Sequence, residues 1–139
     1  MARAKVETEL YFEVKNETGV LGQITATLAL AEVYIIHLCA YAVKGIGYFQ
    51  IITRDSKKAK AALKHLAPKA EERDVLVVEF ENKVGTLAPV CRLLGSNGIG
   101  VHSVYGTSGD GFKIVGVFST EDNTKAARII NKDSRALGV

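Results

Sequence analysis

The chain has 139 residues, 47% of them hydrophobic and 24% charged, with a formal net charge of +3. This is the make-up of a soluble globular protein the size of one domain or two small ones. Ten Lys/Arg against six Asp/Glu in residues 1–69, and eight against nine in 70–139, exclude the strongly basic surface of an ordinary nucleic-acid binder. No apolar stretch approaches the ~20 residues that cross a bilayer, and the opening Met1-Ala2-Arg3-Ala4-Lys5-Val6-Glu7 reads as neither signal peptide nor anchor.

In chain order, Leu10, Phe12 and Val14 alternate with Tyr11 and Glu13, the pattern of a half-buried strand. A polar turn over 16–19 ends in glycine. Leu21, Ile24, Leu28 and Ala31 then recur at intervals of three and four, which predicts an amphipathic helix. Residues 33–43 are rich in β-branched and aromatic side chains and read as a strand. Gly45-Ile46-Gly47 predicts a tight turn, with 48–53 returning as the hairpin partner. Asp55 or Ser56 can cap a helix that runs to about Leu66 and stops before Pro68. Lys57, Lys58, Lys60 and Lys64 fall at helical spacing on it and read as a solvated face.

The same order then returns. Strand 75–80, helix 86–96, strand 99–105, a glycine-rich turn over 106–111, strand 112–119 and a helix from Asp122 or Asn123 to about Ile130 follow one another. Pro89 sits in the first turn of its helix, where a missing N–H is tolerated. Asn16-Glu17-Thr18-Gly19-Val20-Leu21 matches Asn82-Lys83-Val84-Gly85-Thr86-Leu87 at an offset of 66 residues. The offset continues through Leu28/Leu94, Val33/Ile99 and Ile35/Val101, and reads on to Ala61/Ala127 and Leu63/Ile129. A constant register over that distance marks one structural unit written twice.

Each copy therefore predicts strand–helix–strand–strand–helix–strand, the split βαβ arrangement with two helices on one face of an antiparallel sheet. The fold class is α+β: two ferredoxin-like βαββαβ units, residues 1–73 and 74–139, whose sheets can join edge to edge. Short segments at Ala70–Arg73 and Ala136–Val139 stand where the fourth strands belong. A lone unit of this size buries only about 60% of its unfolded surface, so the copies are expected to share an interface and to dimerise.

Few side chains propose chemistry. Cys39 and Cys91 are not equivalent under the repeat, which argues against a disulfide framework and fits a reducing cytoplasm. His37, His65 and His102 have no acid or cysteine at metal-ligand spacing. Gly106-Thr107-Ser108-Gly109-Asp110-Gly111 is rich in glycine but joins two strands, so a hairpin turn is its reading rather than a phosphate loop. Ser108 has no histidine–acid pair, and no nucleophile, metal or cofactor is called for. Tyr11, Tyr41, Phe49 and Phe112 fall on strands as in RNA-binding sheets, yet Tyr48-Phe49-Gln50-Ile51-Ile52-Thr53 lacks the glycine and cation pattern of those modules.

The doubled turn is the candidate site. At a helix start the first N–H groups lack intrahelical partners and carry partial positive charge, which suits a carboxylate. An Asn carboxamide both donates and accepts, and glycine lets the main chain turn sharply toward a ligand. Together these fit a free amino acid, although Asn-x-x-Gly before a helix is also an ordinary turn and cap.

Asn-x-x-Gly-x-Leu, an amphipathic helix and then Val33-Tyr34-Ile35 or Ile99-Gly100-Val101 together resemble the ACT domain, twice over and from about Thr8 onward. The arrangement is similar to stand-alone tandem ACT proteins with no attached enzyme. The resemblance implies a non-catalytic regulatory module that binds an amino acid between paired units. It places the ligand loop on Asn16, Gly19, Val20 and Leu21, and on Asn82, Gly85, Thr86 and Leu87. Ile35, Ile36, Val101 and His102 are the matches to strand residues that complete such sites from a neighbouring unit. Glu17 stands where the second copy has Lys83, so Lys83 is expected to make its copy the better carboxylate binder. Expected partners are a small-molecule amino acid, a second copy of the chain, and a biosynthetic enzyme or regulator, with neither nucleic acid nor membrane. The alternatives are a regulatory subunit that docks on an amino-acid biosynthetic enzyme without a ligand of its own, an enzyme of the same broad fold, and an RNA-binding protein.

Overall fold

A computed structural model describes residues 2–109 and 111–136, with side chains to residue 133. The elements are β1 (Arg3–Lys15), α1 (Val20–Leu30), β2 (Ile35–Val43), β3 (Ile46–Thr53), α2 (Ser56–Ala62), β4 (Glu71–Glu81), α3 (Leu87–Ser96), β5 (Val101–Thr107), β6 (Lys113–Thr120) and α4 (Asn123–Ala136). The strands are hydrogen-bonded in the order β2-β3-β1-β4-β6-β5, and the pairs β1/β3, β2/β3, β4/β6 and β5/β6 are antiparallel. The chain forms two ferredoxin-like α+β units. One holds Thr8–Arg73, and the other holds the leading residues through Glu7 together with the chain from Asp74 on. Among the described residues, no helix is long and apolar enough to cross a membrane.

The first unit lays β2, β3 and the later part of β1 side by side, and the leading end of β4 (71–73) is the fourth strand. The sequence places a separate short strand at 70–73. Instead, Glu71–Glu81 is one strand with no break at Asp74. At this crossing Arg73 Nε donates to the buried Glu9 carboxylate at 3.1 Å, and its guanidinium lies 4.1 Å over the Tyr11 ring. Leu10, Phe12, Ile24, Leu28, Phe49, Ile51, Ala59 and Leu63 make its core, with Phe12 and Phe49 stacked at 4.9 Å. Truncating one of these large side chains to alanine costs roughly 2–5 kcal/mol.

The second unit differs from expectation in its fourth strand. Residues 3–7, the first part of β1, belong to this unit, whereas the sequence assigns residues 1–73 to the first. α4 runs on to Ala136, six residues past the expected end, so Ala136 is helical rather than the start of a strand; 137–139 lie outside the described residues. β1 is legible only in part because its leading half presents Ala4 inward where Leu10 and Phe12 follow. Ala4 packs with Leu76, Val78, Phe80, Val90, Leu94, Phe118, Ala126 and Ile130. Asn131 on α4 fastens it: Asn131 Oδ1 accepts the Ala4 N–H at 2.8 Å and Nδ2 donates to the Ala4 carbonyl at 2.8 Å. A side-chain amide thus satisfies both main-chain groups of one strand residue.

Both hairpins also depart from the predicted turns. Lys44 (φ 50) and Gly45 (φ 81) form the first turn, with Val43 opposite Ile46. This is the two-residue, positive-φ loop that matches strand twist, and it puts Ile46 and Gly47 inside β3. The chain between the paired residues Thr107 and Val115 is one residue longer than that between their equivalents Tyr41 and Tyr48, so the offset changes from 66 to 67 at β6. Ile51 then matches Phe118, Asp55 matches Asp122, Ala59 matches Ala126 and Leu63 matches Ile130, and the members of the three apolar pairs are all buried. Asp55 and Asp122 are equivalent caps, accepting from Lys58 N–H at 3.1 Å and Lys125 N–H at 3.0 Å. The expected matches Ala61/Ala127 and Leu63/Ile129 are therefore displaced by one residue.

α1 and α3 end alike. Glu32 N–H bonds Ala29 O and Val33 N–H bonds Leu28 O, each at 3.0 Å; Gly98 N–H bonds Gly95 O at 3.1 Å and Ile99 N–H bonds Leu94 O at 3.0 Å. This paired closure needs a left-handed residue, which is usually glycine. Gly98 has φ 69, but Glu32 is held at φ 57, where an L side chain is strained by roughly 1–2 kcal/mol. Glu32→Gly should therefore raise stability by about 1 kcal/mol in denaturant unfolding; a loss would show that the exposed Glu32 side chain has a compensating role. Asn131→Ala should cost about 2 kcal/mol and release the Ala4 amide to faster hydrogen exchange, because two strand groups lose their partner. Unchanged exchange at Ala4 would mean the clamp is dispensable.

Candidate functional site

The two repeated turns join β1 to α1 and β4 to α3. Gly19 (φ 91) and Gly85 (φ 87) both take the left-handed conformation that the turn requires. In the first turn Asn16 N–H bonds Gly45 O at 2.9 Å, Val20 N–H bonds Glu17 O at 3.1 Å and Gln23 N–H bonds Gly19 O at 3.0 Å. No side chain caps α1. The Leu21 and Gly22 amides have no partner among the described residues, and neither the Asn16 carboxamide nor the Thr18 hydroxyl makes a hydrogen bond there. Beyond Gly19 and Gly22, nothing stands within 4 Å of where a Cβ would be. This end of the unit presents outward main-chain donors beside an uncommitted carboxamide.

The second turn has the same backbone and different side-chain commitments. Asn82 N–H bonds Phe112 O at 2.8 Å, and its Nδ2 donates to Gly111 O at 3.0 Å. The Thr86 hydroxyl donates to Glu81 O at 2.7 Å and Lys83 O at 2.9 Å. No side chain caps α3 either, but Asn82 and Thr86 brace the loop and the neighbouring hairpin. Val84, Leu87 and Phe112 are exposed around them.

Charge separates the loops less than Glu17 and Lys83 alone suggest. Lys15 Nζ lies 3.3 Å from Glu17 Oε1, and Lys83 Nζ lies 3.0 Å from Glu81 Oε2. The two ion pairs are inverted copies, lysine–Asn–glutamate in one and glutamate–Asn–lysine in the other, and each loop is locally neutral. The inversion is legible in the aligned repeats, although a comparison of Glu17 with Lys83 alone misses it. Lys83 holds the Glu81 carboxyl below the usual carboxylate range, first by hydrogen bonding and then by charge. Its stabilising effect is present above the ordinary carboxylate range and fades as pH falls through the lowered value.

The strand residues do not converge on the turn of their own unit. Ile35 pairs opposite Thr53, at the far end of the sheet from Lys15, which pairs opposite Ile46. In the same way Val101 pairs opposite Thr120, while Glu81 pairs opposite Lys113. Ile36 and His102 occupy the irregular positions between the paired residues 35/37 and 101/103. Ile35, Ile36, Val101 and His102 are all solvent-exposed.

A family profile described as an ACT domain pair matches residues 6–136. Among solved structures, a protein from Bacteroides thetaiotaomicron is 25% identical with a TM-score of 0.85, covering 94% of this chain and 90% of its own. The aspartokinase alpha and beta subunit structure matches at 18% identity and a TM-score of 0.67, over 99% of this chain and 98% of that one. The regulatory subunit of aspartate kinase from Thermus flavus matches at 12% identity and 0.66, over 94% and 95%. These last two share the fold. No curated protein sequence matches the chain. Lys83→Ala should return the Glu81 carboxyl toward its ordinary titration range, read by carboxyl carbon NMR; an unmoved Glu81 would remove the ion pair from the account.

Proposed function

We propose, for a chain that belongs to the ACT domain pair family, that it is a non-catalytic regulatory protein whose ligand is a free amino acid. ACT domains are regulatory modules, and the sequence contributes no nucleophile or metal cluster that would argue for chemistry. The observation that carries the ligand reading is the twice-built helix start with a left-handed glycine and no side-chain cap. Its outward amides match a carboxylate, and an adjacent Asn carboxamide matches an ammonium or a second polar group. Ile35, Ile36, Val101 and His102 serve a turn other than the one in their own unit, so the working protein is a homodimer. A cytoplasmic location accords with the two unpaired cysteines.

The two turns are unequal in this reading, and the first is the better site. Asn16 is uncommitted, whereas Asn82 and Thr86 are spent on the fold of the second unit. Gly22 also leaves the α1 start without the Cβ that Ala88 places at the corresponding point of α3. Neutral ion pairs at both turns remove the charge preference that Lys83 suggests.

Thermal unfolding in the presence of each of the twenty amino acids tests this. A ligand at 100 times its dissociation constant adds about 2.7 kcal/mol to the folded state, which moves the midpoint by several degrees. Asn16→Ala should abolish the shift and Asn82→Ala should preserve most of it. Indifference of the wild-type chain to all twenty would favour a subunit that docks on an enzyme with its loops purely structural.

A further inference from the structure

Between Arg54 and Lys69 the chain carries six Lys/Arg and a single acid, Asp55. Arg54, Lys57, Lys58, Lys60, Lys64 and Lys69 are all exposed on α2 or beside it. Among the described residues none of the six is in an ion pair. Lysines elsewhere are matched: Lys5, Lys15, Lys83 and Lys113 each lie 2.7–3.3 Å from a glutamate carboxylate. Asp55 is taken up by the fold, its carboxylate accepting the Lys58 N–H at 3.1 Å.

This arrangement works against the helix. Lys57 and Lys58 stand in the first turn of α2, which has no acidic residue and already carries the partial positive charge of its free N–H groups. Lys57 with Lys60, and Lys60 with Lys64, add like charges at spacings of three and four, which is unfavourable on a helix surface. The second copy builds the same element without them. At the offset of 67, Glu121, Thr124, Ala127 and Asn131 stand for Arg54, Lys57, Lys60 and Lys64, and residues 121–136 hold four Lys/Arg against three Asp/Glu. Charge that the fold does not need, and that its duplicate lacks, points to a use outside the fold.

We propose that the outward face of α2 docks an acidic segment of a partner protein, whose carboxylates run along a helix or strand against Lys57, Lys60 and Lys64. Charge complementarity gives the chemistry, and the surroundings choose among anions. A lipid surface needs apolar side chains beside the cations. Here Ala59 and Leu63 are buried in the unit's own core, and no exposed large apolar residue falls between Ile46 and Val84 among the described residues. Single-stranded nucleic acid needs aromatic platforms along a basic track. Residues 54–69 contain no Phe, Tyr or Trp. Their one arginine, the residue best shaped for phosphate, already lies over the Tyr34 ring. Flexible, strongly hydrated lysines suit a row of carboxylates met at the surface, where association is steered by charge and weakened by salt. The docking face does not depend on the amino-acid reading; it is a contact through which a regulatory chain can act on a target.

Titration of the full chain with a glutamate-rich peptide, read by amide NMR, tests this. The peptide should move the amides of α2 at low salt and lose affinity as salt rises. Lys57→Glu, Lys60→Glu and Lys64→Glu combined should weaken binding at least about tenfold, whereas Lys125→Glu with Lys132→Glu on α4 should leave it within about twofold. Thermal unfolding separates docking from folding. Lys57→Glu alone should raise the midpoint, because an acid suits that end of the helix; a fall would show that the lysine serves the fold and would overturn the proposal. Unmoved α2 amides, or binding that survives the charge reversals, overturn it as well. So does tighter binding of the same face to a single-stranded oligonucleotide or to phosphatidylserine vesicles, which would assign the lysines to phosphate.

Discussion

A sheet of this class needs four strands to back two helices, and each unit completes its set at a boundary where the chain passes on without a linker. The leading end of β4 is the fourth strand for Thr8–Arg73, and the leading end of β1 is the fourth strand for the chain from Asp74 on. β1 and β4 are therefore long, 13 and 11 residues, because each serves both units in succession. The local interactions follow from this demand. A strand segment as weakly apolar as residues 3–7 would gain little from burial alone, and the Asn131 clamp supplies two directed hydrogen bonds in its place. At the other crossing, the buried Glu9 carboxylate is tolerable because Arg73 is held beside it by the Tyr11 ring. A buried acid without a cation would cost several kcal/mol.

Duplication makes the molecule its own control, since the same backbone is solved with two sets of side chains. Where the backbone itself demands a residue, the copies agree: Gly19 and Gly85 at the helix starts, Asp55 and Asp122 at the caps. Where packing is the demand, they compensate. Phe49 stacks on Phe12 in one unit. In the other, the matching position is Gly116, whose absent side chain leaves room for Phe118 and Phe80; a Cβ there would come within 3.0 Å of Phe118. At the sheet end, Arg54 lies 4.2 Å over the Tyr34 ring, while the corresponding Glu121 carboxylate sits against Gly100 N–H at 3.4 Å. The chemistry differs, yet each pairing anchors the residue after the last strand to the start of its hairpin partner.

The fold was legible wherever periodicity and turn chemistry agreed. Ile24 and Leu28 recur at helical spacing and are both buried; the alternation from Leu10 to Val14 is a real strand. What escaped was long-range. Nothing local to Arg3-Ala4-Lys5-Val6-Glu7 marks a strand, because its partner groups are on α4 more than a hundred residues away. The one-residue slip after the second hairpin escaped because Ala61/Ala127 and Leu63/Ile129 are also apolar pairs, and only burial separates them from Ala59/Ala126 and Leu63/Ile130. The two turns ahead of α1 and α3 were legible as turns, with a left-handed glycine in each. The commitment of Asn82 to Gly111 was not, since it depends on how the hairpin folds back.

The sheet geometry decides what kind of function the turns can support. Main-chain donors collect at one end of each unit, and the apolar strand residues collect at the other, about the length of a strand away. A single unit therefore has the main-chain donors of its helix start at one pole and the exposed apolar strand residues at the opposite pole. No side-chain rotation brings them together. A ligand that needs both would have to draw its apolar contacts from another unit, and its binding would then favour association by linkage.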